Sequence, residues 1–500
     1  MAKRNKKVRK SGDTCQIPEN LSHVPDLRIC ALQDAEARRK IVEELDKTFF
    51  VEAGAGSGKT KSLVDRMIAL LGAGKCRIGT LAAVTFTRKA AAELRGRFQV
   101  ELERKVAAEK NPETIKRLAD ALQNLEQCYI GTIHSFCAKM LRERPIEIGL
   151  DPEFTEMEEI EDGVFREKCW NDYMVKVRLE QEEIVRELEE VDLAPEDLKD
   201  AFEAVSLYPE VTLVGGSGDE PDFAYFRKAL EDFLKLARGL IPKEKPEKGY
   251  DGLQRLIVRC LGRQRNLGFS DRGLLMETIE LLGGKAEIRW NRWPERERAE
   301  TLNQALEVFV ENVVEPAMKA WREYRQEKII RFLGPAVRFY TERRKEENSL
   351  NYEDLLMQAR KLLHENPEVR RYFSRKFTHI LVDELQDTDP IQAEVLLYLK
   401  GLDTKERDWR KMRVEPGALF LVGDPKQSIF RFRRADIDTY NLVKETIVAG
   451  GGEVLRLTTN FRSLGVLAEW NNPVFKAVFP AESTRYQAAF ARLVTVRKEE

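Results

Sequence analysis

The chain has 500 residues, 42% of them hydrophobic, which is enough for a large core and for two to four domains of ~100–200 residues each. Its 84 basic and 85 acidic residues leave a net charge of −1, which excludes nucleic-acid binding through overall charge and requires any such site to be a local patch. Seven scattered cysteines with no CxxC pair, and only four histidines, argue against zinc or iron–sulfur chemistry; with no apolar run near the ~20 residues of a membrane span, a cytoplasmic protein with reduced thiols and no membrane association is expected.

The first ten residues carry six Lys or Arg and almost nothing apolar, so 1–25 is expected to be a disordered basic arm. That arm is either a nucleic-acid contact or a solvated tail. A charged helical pattern over 27–45 leads to the run TFFVEAGAGSGKT (48–60), in which Phe49, Phe50 and Val51 read as a strand that stops at a glycine-rich turn. Without side chains at Gly54, Gly56 and Gly58, the backbone can take positive φ and turn its N–H groups inward at a helix start, a nest for anions. The stretch from Ala53 through Gly54, Ala55, Gly56, Ser57, Gly58, Lys59 and Thr60 is therefore the candidate phosphate grip, with Lys59 reaching the terminal phosphates and Thr60 holding Mg²⁺.

Strands and helices then alternate: an apolar strand over 78–86, an Ala-, Glu- and Arg-rich helix over 88–102, a short strand over 128–132 and a helix over 133–144. This βαβα order predicts a parallel α/β sheet flanked by helices over 26–150. From 151 to 347 charged residues alternate with Leu, Phe and Trp at helical spacing, and strand-like runs nearly vanish. That block is expected to be an inserted α-helical domain between the third and fourth strands, with loops near 215–222 and 243–251. The α/β pattern returns over 348–453, and a further short strand at 454–457 is expected to open a second domain over 454–500.

Chemistry concentrates at strand ends. HILVDELQDT (379–388) delivers Asp383 and Glu384 at the carboxyl end of a buried strand, one suited to hold Mg²⁺ and the other to take a proton from an attacking water. LVGDPKQSIFRFRR (421–434) carries Gln427, placed to sense a terminal phosphate. It continues into Phe430 and Phe432, which are either base-stacking faces or core residues, and Arg433 and Arg434, candidate phosphate contacts. TTNFRS (458–463) sets Arg462 after a strand, as a charge-neutralising arginine or a surface one. Thr85, Thr87, Arg88 and Lys89, and likewise Thr132 and His134, sit where a strand gives way to a helix, a place equally suited to phosphate contacts and to helix caps.

Taken together, GAGSGKT, TFTRKAAAELRGR, GTIHSFCAKMLRERP, VDELQDTDPIQ, VGDPKQSIFRFR and TTNFRS, in this order, strongly resemble the motifs of superfamily-one DNA helicases of the UvrD/Rep type, closest to the RecB/AddA helicase–nuclease branch. The resemblance implies a P-loop, RecA-like motor domain that uses ATP and Mg²⁺ and moves 3′ to 5′ on single-stranded DNA. It also implies a role in double-strand break repair, double-stranded DNA as a further substrate, and an AddB- or RecC-like partner. It assigns Lys59, Asp383, Glu384, Gln427 and Arg462 to ATP hydrolysis and Thr87, Arg88, His134, Phe430, Phe432 and Arg433 to DNA. Three departures stand out: Ala37 occupies the slot of an adenine-reading Gln, with Gln33 a displaced candidate; Arg434 replaces a customary Gly; and the chain stops at Glu500. The expectation is an N-terminal portion of a longer helicase with low activity of its own. The alternative is a non-hydrolysing nucleotide- and DNA-binding subunit that serves a partner.

Overall fold

The computed structural model describes residues 32–208, 211–216, 218–429, 435–484 and 487–497. The arm at 1–25 and the candidates Phe430, Phe432 and Arg433, with Arg434, lie outside the described residues. The chain divides into two compact units: one takes the residues up to Phe154 and those from Asp354 onward, and the other is Thr155–Glu353.

The first unit is built on strands β1 (Phe49–Ala53), β2 (Leu81–Thr85) and β3 (Tyr129–Thr132). The second unit follows in the chain with β4 (Thr155–Glu156) and β5 (Ser349–Leu350). The first then resumes with β6 (His379–Val382), β7 (Leu419–Gly423), β8 (Glu453–Leu457), β9 (Thr459–Leu464) and β10 (Val494–Arg497). Six of these form one sheet in the order β3-β2-β6-β7-β1-β8, every pair parallel. Strands β2 and β7 are buried at every position, as a sheet covered on both faces requires.

The period-2 alternation of a strand divides β1 between the two layers. Phe49 and Val51 join Leu63, Met67, Phe98 and Leu102 of the helices Lys59–Gly72 and Arg88–Ala108. Phe50 turns to the other face, against Tyr440 of the helix Ile437–Ala449, with ring centroids 5.0 Å apart.

The strand over 453–457, at which a second domain is expected to open, pairs within the main sheet. It hydrogen-bonds to β1 along its whole length, from Phe49↔Glu453 to Ala53↔Leu457, so the boundary falls inside a ladder of the main sheet. A sequence pattern identifies a strand but not its partner. In the same unit β9 and β10 form a separate two-stranded parallel pair.

The second unit is helical, with β4 and β5 as its two-residue parallel ladder. Its helices Phe223–Leu240, Gly252–Leu267 and Arg272–Leu282 are each N-capped by an aspartate, Asp222, Asp251 and Asp271 respectively. The helix Arg296–Phe309 runs through a π-turn at Val310–Val314 into Glu315–Glu346. Among the described residues no helix is long and apolar enough to cross a membrane.

Candidate active site

The phosphate loop is shaped by two of its glycines. Of the three glycines free to take positive φ, Gly56 (φ 71°) and Gly58 (φ 86°) are left-handed and Gly54 is not. Ala53 needs no glycine because it is still extended strand, paired with Leu457 and buried. Ser57 closes the turn, its N–H and hydroxyl both donating to the Gly54 carbonyl (3.1 and 2.7 Å). The Gly58 carbonyl takes the first helical bond, from Ser62 N–H (2.9 Å).

Gly56 is constrained by more than its backbone. A Cβ there would lie 2.6 Å from Asn460 Nδ2 and 2.8 Å from Arg462 Cβ. Gly56→Ala is therefore expected to cost roughly 1–2 kcal/mol for the left-handed backbone alone, and to displace 460–462 from the loop as well. Nucleotide titration of the variant should show weaker binding, and wild-type affinity would refute the packing argument.

The loop faces the acidic turn after β6. Lys59 Nζ donates to Glu384 Oε2 (2.6 Å) and to Gln427 Oε1 (3.2 Å), so the structure brings together three of the catalytic candidates. Asp383 is buried beside them, with the Thr60 hydroxyl among the groups that favour its charged form. Burial and then the neighbouring Glu384 carboxylate push its carboxyl up to about 6, only partly offset by Lys59. Two carboxylates thus confront one ammonium, and a hard cation on Asp383 and Thr60 would relieve the imbalance. Those oxygen donors fit Mg²⁺. Glu384 holds φ 55°, a conformation uncommon for a non-glycine residue, which turns its carboxylate back toward Lys59. Gln427 is tied down by donating through Nε2 to Asp424 Oδ2 (2.9 Å).

The β8–β9 junction caps the loop from its other side. Asn460 Nδ2 donates to the Ala55 carbonyl, and Phe461 N–H to that of Gly56 (2.9 Å). Arg462 N–H bonds Asn460 Oδ1 (2.8 Å), but its side chain is solvent-exposed and is not joined to the Lys59–Glu384–Gln427 group.

What anchors this junction is a residue that the sequence pattern did not single out. The buried Asp34 accepts from Thr458 N–H (2.9 Å), from Thr459 N–H and hydroxyl (both 3.0 Å) and from Arg38 Nε and Nη2 (3.0 and 2.8 Å). Arg38 in turn donates to the Ser57 carbonyl (2.9 Å) and lies 5.0 Å from the Phe461 ring centre. Gln33 is exposed in the preceding turn, and Ala37 packs against the core on the helix Ala35–Glu43. The only local signal for Asp34 is an Asp four residues before an Arg at a helix start, which is common.

Burial raises the Asp34 carboxyl, but hydrogen bonds from Arg38 and Thr459 outweigh it and hold the group below the usual carboxylate range. A depressed folded-state value gives stability that is full above the ordinary Asp range, ~4, and lost as pH falls through it. Asp34→Asn should therefore destabilise the protein at neutral pH and flatten the acid limb of its stability profile below pH ~4. Denaturant melts across pH 3–7 test this, and an unchanged acid limb would rule it out.

The described nucleic-acid candidates, Thr87, Arg88 and His134, follow β2 and β3. Thr87 caps the helix Arg88–Ala108, accepting from Ala90 N–H (3.1 Å), and Thr132 forms a capping box with Ser135. Thr87 and Arg88 are exposed after β2. His134 follows β3, and burial pushes its imidazole down to about 4, so it meets any ligand as a neutral ring. The order β3-β2-β6-β7-β1 separates β3 from β1 by four strand spacings, or ~19 Å at ~4.8 Å each. The phosphate loop and the candidates Thr87, Arg88 and His134 thus follow different strands of one sheet.

A parallel sheet with a glycine-rich loop after its β1 strand, paired carboxylates after β6 and a glutamine after β7 defines a P-loop NTPase domain. Residues 34–447 match the family described as the UvrD/REP helicase N-terminal domain, and the chain belongs to that family. It is 26% identical over 507 residues to an ATP-dependent helicase/nuclease subunit of Ligilactobacillus salivarius, covering 88% of this chain and 38% of the relative. To the protein of the same name from Geobacillus thermodenitrificans it is 27% identical over 496 residues, covering 86% and 38%. The exonuclease/helicase subunit RexA of Lactococcus lactis subsp. cremoris is 24% identical over 504 residues, covering 88% and 40%. The chain thus spans about two-fifths of the length of these curated relatives.

Proposed function

We propose that this chain is the ATP-binding and hydrolysing part of a DNA helicase, working 3′ to 5′ on single-stranded DNA in double-strand break repair, with an AddB- or RecC-like protein as its partner. The observation that carries this reading is the meeting of Lys59, Glu384 and Gln427 at the ends of β1, β6 and β7. The names of the relatives, a helicase/nuclease subunit in two of them and the exonuclease/helicase subunit RexA in the third, support the wider activity.

In this reading the inward N–H groups around Gly56 and Gly58 bind the phosphates of ATP, and Lys59 exchanges Glu384 for a terminal phosphate oxygen. Asp383 and Thr60 hold Mg²⁺, which supplies charge neutralisation on the phosphates when bound. Glu384, freed from Lys59, accepts the proton of the attacking water. Gln427, its carbonyl released from Lys59, turns an amide N–H toward the terminal phosphate. Arg462 is exposed beside the loop and would have to swing inward to neutralise charge there. Asp34 and Arg38 keep the loop and the β8–β9 junction in register, and the half-exposed Phe461 ring beside them offers a face for a base. Thr87, Arg88 and His134 contact the DNA backbone from the β2–β3 side; Phe430, Phe432 and Arg433 are proposed to join them.

The test is ATP hydrolysis with and without single-stranded DNA. Stimulation by DNA that disappears in Lys59→Ala supports the proposal. Turnover indifferent to both DNA and Lys59 sinks it.

A further inference from the structure

Five residues close a hydrogen-bonded ring beside the phosphate loop, four through side chains alone and Asp424 through its carboxylate and its backbone N–H. Lys59 Nζ reaches both Glu384 Oε2 (2.6 Å) and Gln427 Oε1 (3.2 Å), and Gln427 Nε2 donates to Asp424 Oδ2 (2.9 Å). The Asp424 N–H donates to Gln386 Oε1 (2.9 Å), and Gln386 Nε2 returns to Glu384 Oε2 (2.8 Å). Within this ring, Gln386 joins the acidic turn to the 424–428 turn without passing through Lys59.

Gln386 is 2% exposed, so neither end of its amide can exchange its partner for bulk water. Its orientation is fixed by its neighbours. The nitrogen faces the carboxylates of Glu384 and, at 3.4 Å, Asp387, while the oxygen faces a backbone N–H. A flipped amide would set oxygen against two carboxylates and N–H against N–H. Its backbone carbonyl accepts from Ser428 Oγ as well (3.1 Å), and a Cβ on Gly423 would press to 3.0 Å from its Oε1.

Resting on the reading of this site as one for ATP, we propose that Gln386 is a positioning residue. It holds the Glu384 carboxylate when Lys59 leaves for phosphate, and it transmits that exchange to the 424–428 turn. When Lys59 withdraws, two bonds of the ring break together, those to Glu384 and Gln427. Glu384 then stays anchored through Gln386 to the Asp424 N–H, and Gln427 through its amide to the Asp424 carboxylate. The occupancy of the phosphate loop and the posture of the 424–428 turn become one event.

The test uses the whole chain, a non-hydrolysable ATP analogue with Mg²⁺, and hydrogen exchange in peptides spanning residues 423–428. In the wild type, nucleotide should change exchange there by about threefold or more. Gln386→Leu should bind the analogue within about threefold of wild type while losing most of that response. Gln386→Glu sets two carboxylates face to face and should lose it too. Adding Glu384→Gln to Gln386→Glu restores a donor–acceptor pair of reversed sense and should recover the response, though not turnover; this variant decides the matter if Gln386→Leu does not fold. A wild-type response in Gln386→Leu, or no recovery in the double variant, overturns the proposal. If the wild type does not titrate with nucleotide at all, the ATP reading falls first and takes this inference with it.

Discussion

Replacing Glu384 by glutamine is expected to lower ATP turnover by about 10²–10⁴-fold, the usual contribution of a general base, while nucleotide affinity holds or rises. The gain in affinity follows from the ion pair that Lys59 makes in this structure. Its side chain is only 10% exposed and its ammonium is bonded to Glu384 Oε2 at 2.6 Å, so phosphate must displace a carboxylate before it can be gripped. Glu384→Gln removes that competing charge and leaves an amide that neutral hydrogen bonding holds less firmly. Lys59→Ala should behave in the opposite way, with affinity falling together with turnover. Titration with a fluorescent nucleotide and single-turnover hydrolysis separate the two. Weaker binding by Glu384→Gln would mean that the Lys59–Glu384 pair prepares the site rather than competing for it.

Arg66→Met is expected to be among the most destabilising single changes in the first unit, on the order of 3–5 kcal/mol. Arg66 is completely buried with no carboxylate partner within hydrogen-bond reach. Its guanidinium instead donates to the carbonyls of Ile41 (2.8 Å), Glu44 (3.4 Å), Leu45 (3.3 Å) and Lys47 (2.8 Å), lying about 5 Å from the ring centres of both Phe49 and Phe420. Those carbonyls are the last turn of the helix Ala35–Glu43 and its exit into β1, so one side chain satisfies four acceptors, those of Ile41 and Leu45 buried and those of Glu44 and Lys47 partly so. Burial pushes the guanidinium down to about 10, still well above neutrality, so the group stays charged. Methionine fills the volume but orphans the carbonyls, and lysine, a compact donor, spans fewer of them. Denaturant melts should therefore rank wild type above Arg66→Lys and Arg66→Lys above Arg66→Met. A loss below ~1 kcal/mol would show that the segment relaxes onto water.

Some of this was legible residue by residue. The apolar run at 49–51 and the glycines behind it specified a strand and a turn, and HILV followed by Asp383 and Glu384 specified a strand ending in carboxylates. The helical insertion was equally plain, because Leu, Phe and Trp at helical spacing replace strand-like runs there. Other features carry no local signal. Asp34 is one aspartate before a helix among many, and its role exists only because Thr458 and Thr459 arrive there from the far end of the chain. Gln386 reads as the middle of an acidic motif until Asp424 comes within 2.9 Å. The strand at 453–457 has an ordinary strand pattern, and nothing in it names β1 as its neighbour.

The sequence by itself therefore determined the pieces: which segments are strands, where glycines leave the backbone free to turn left-handed, and which acids, amides and cations stand at strand ends. Those are consequences of side-chain period and backbone sterics, which act over a few residues. Only the tertiary structure decided which ends meet. Placing β7 between β6 and β1 brings Lys59 to Glu384 across 325 residues and to Gln427 across 368, while β2 and β3 are carried to the flank. Separation in sequence is a poor guide to such meetings, because the entropy of closing a loop rises only with the logarithm of its length, and burial of the sheet's apolar faces selects the order.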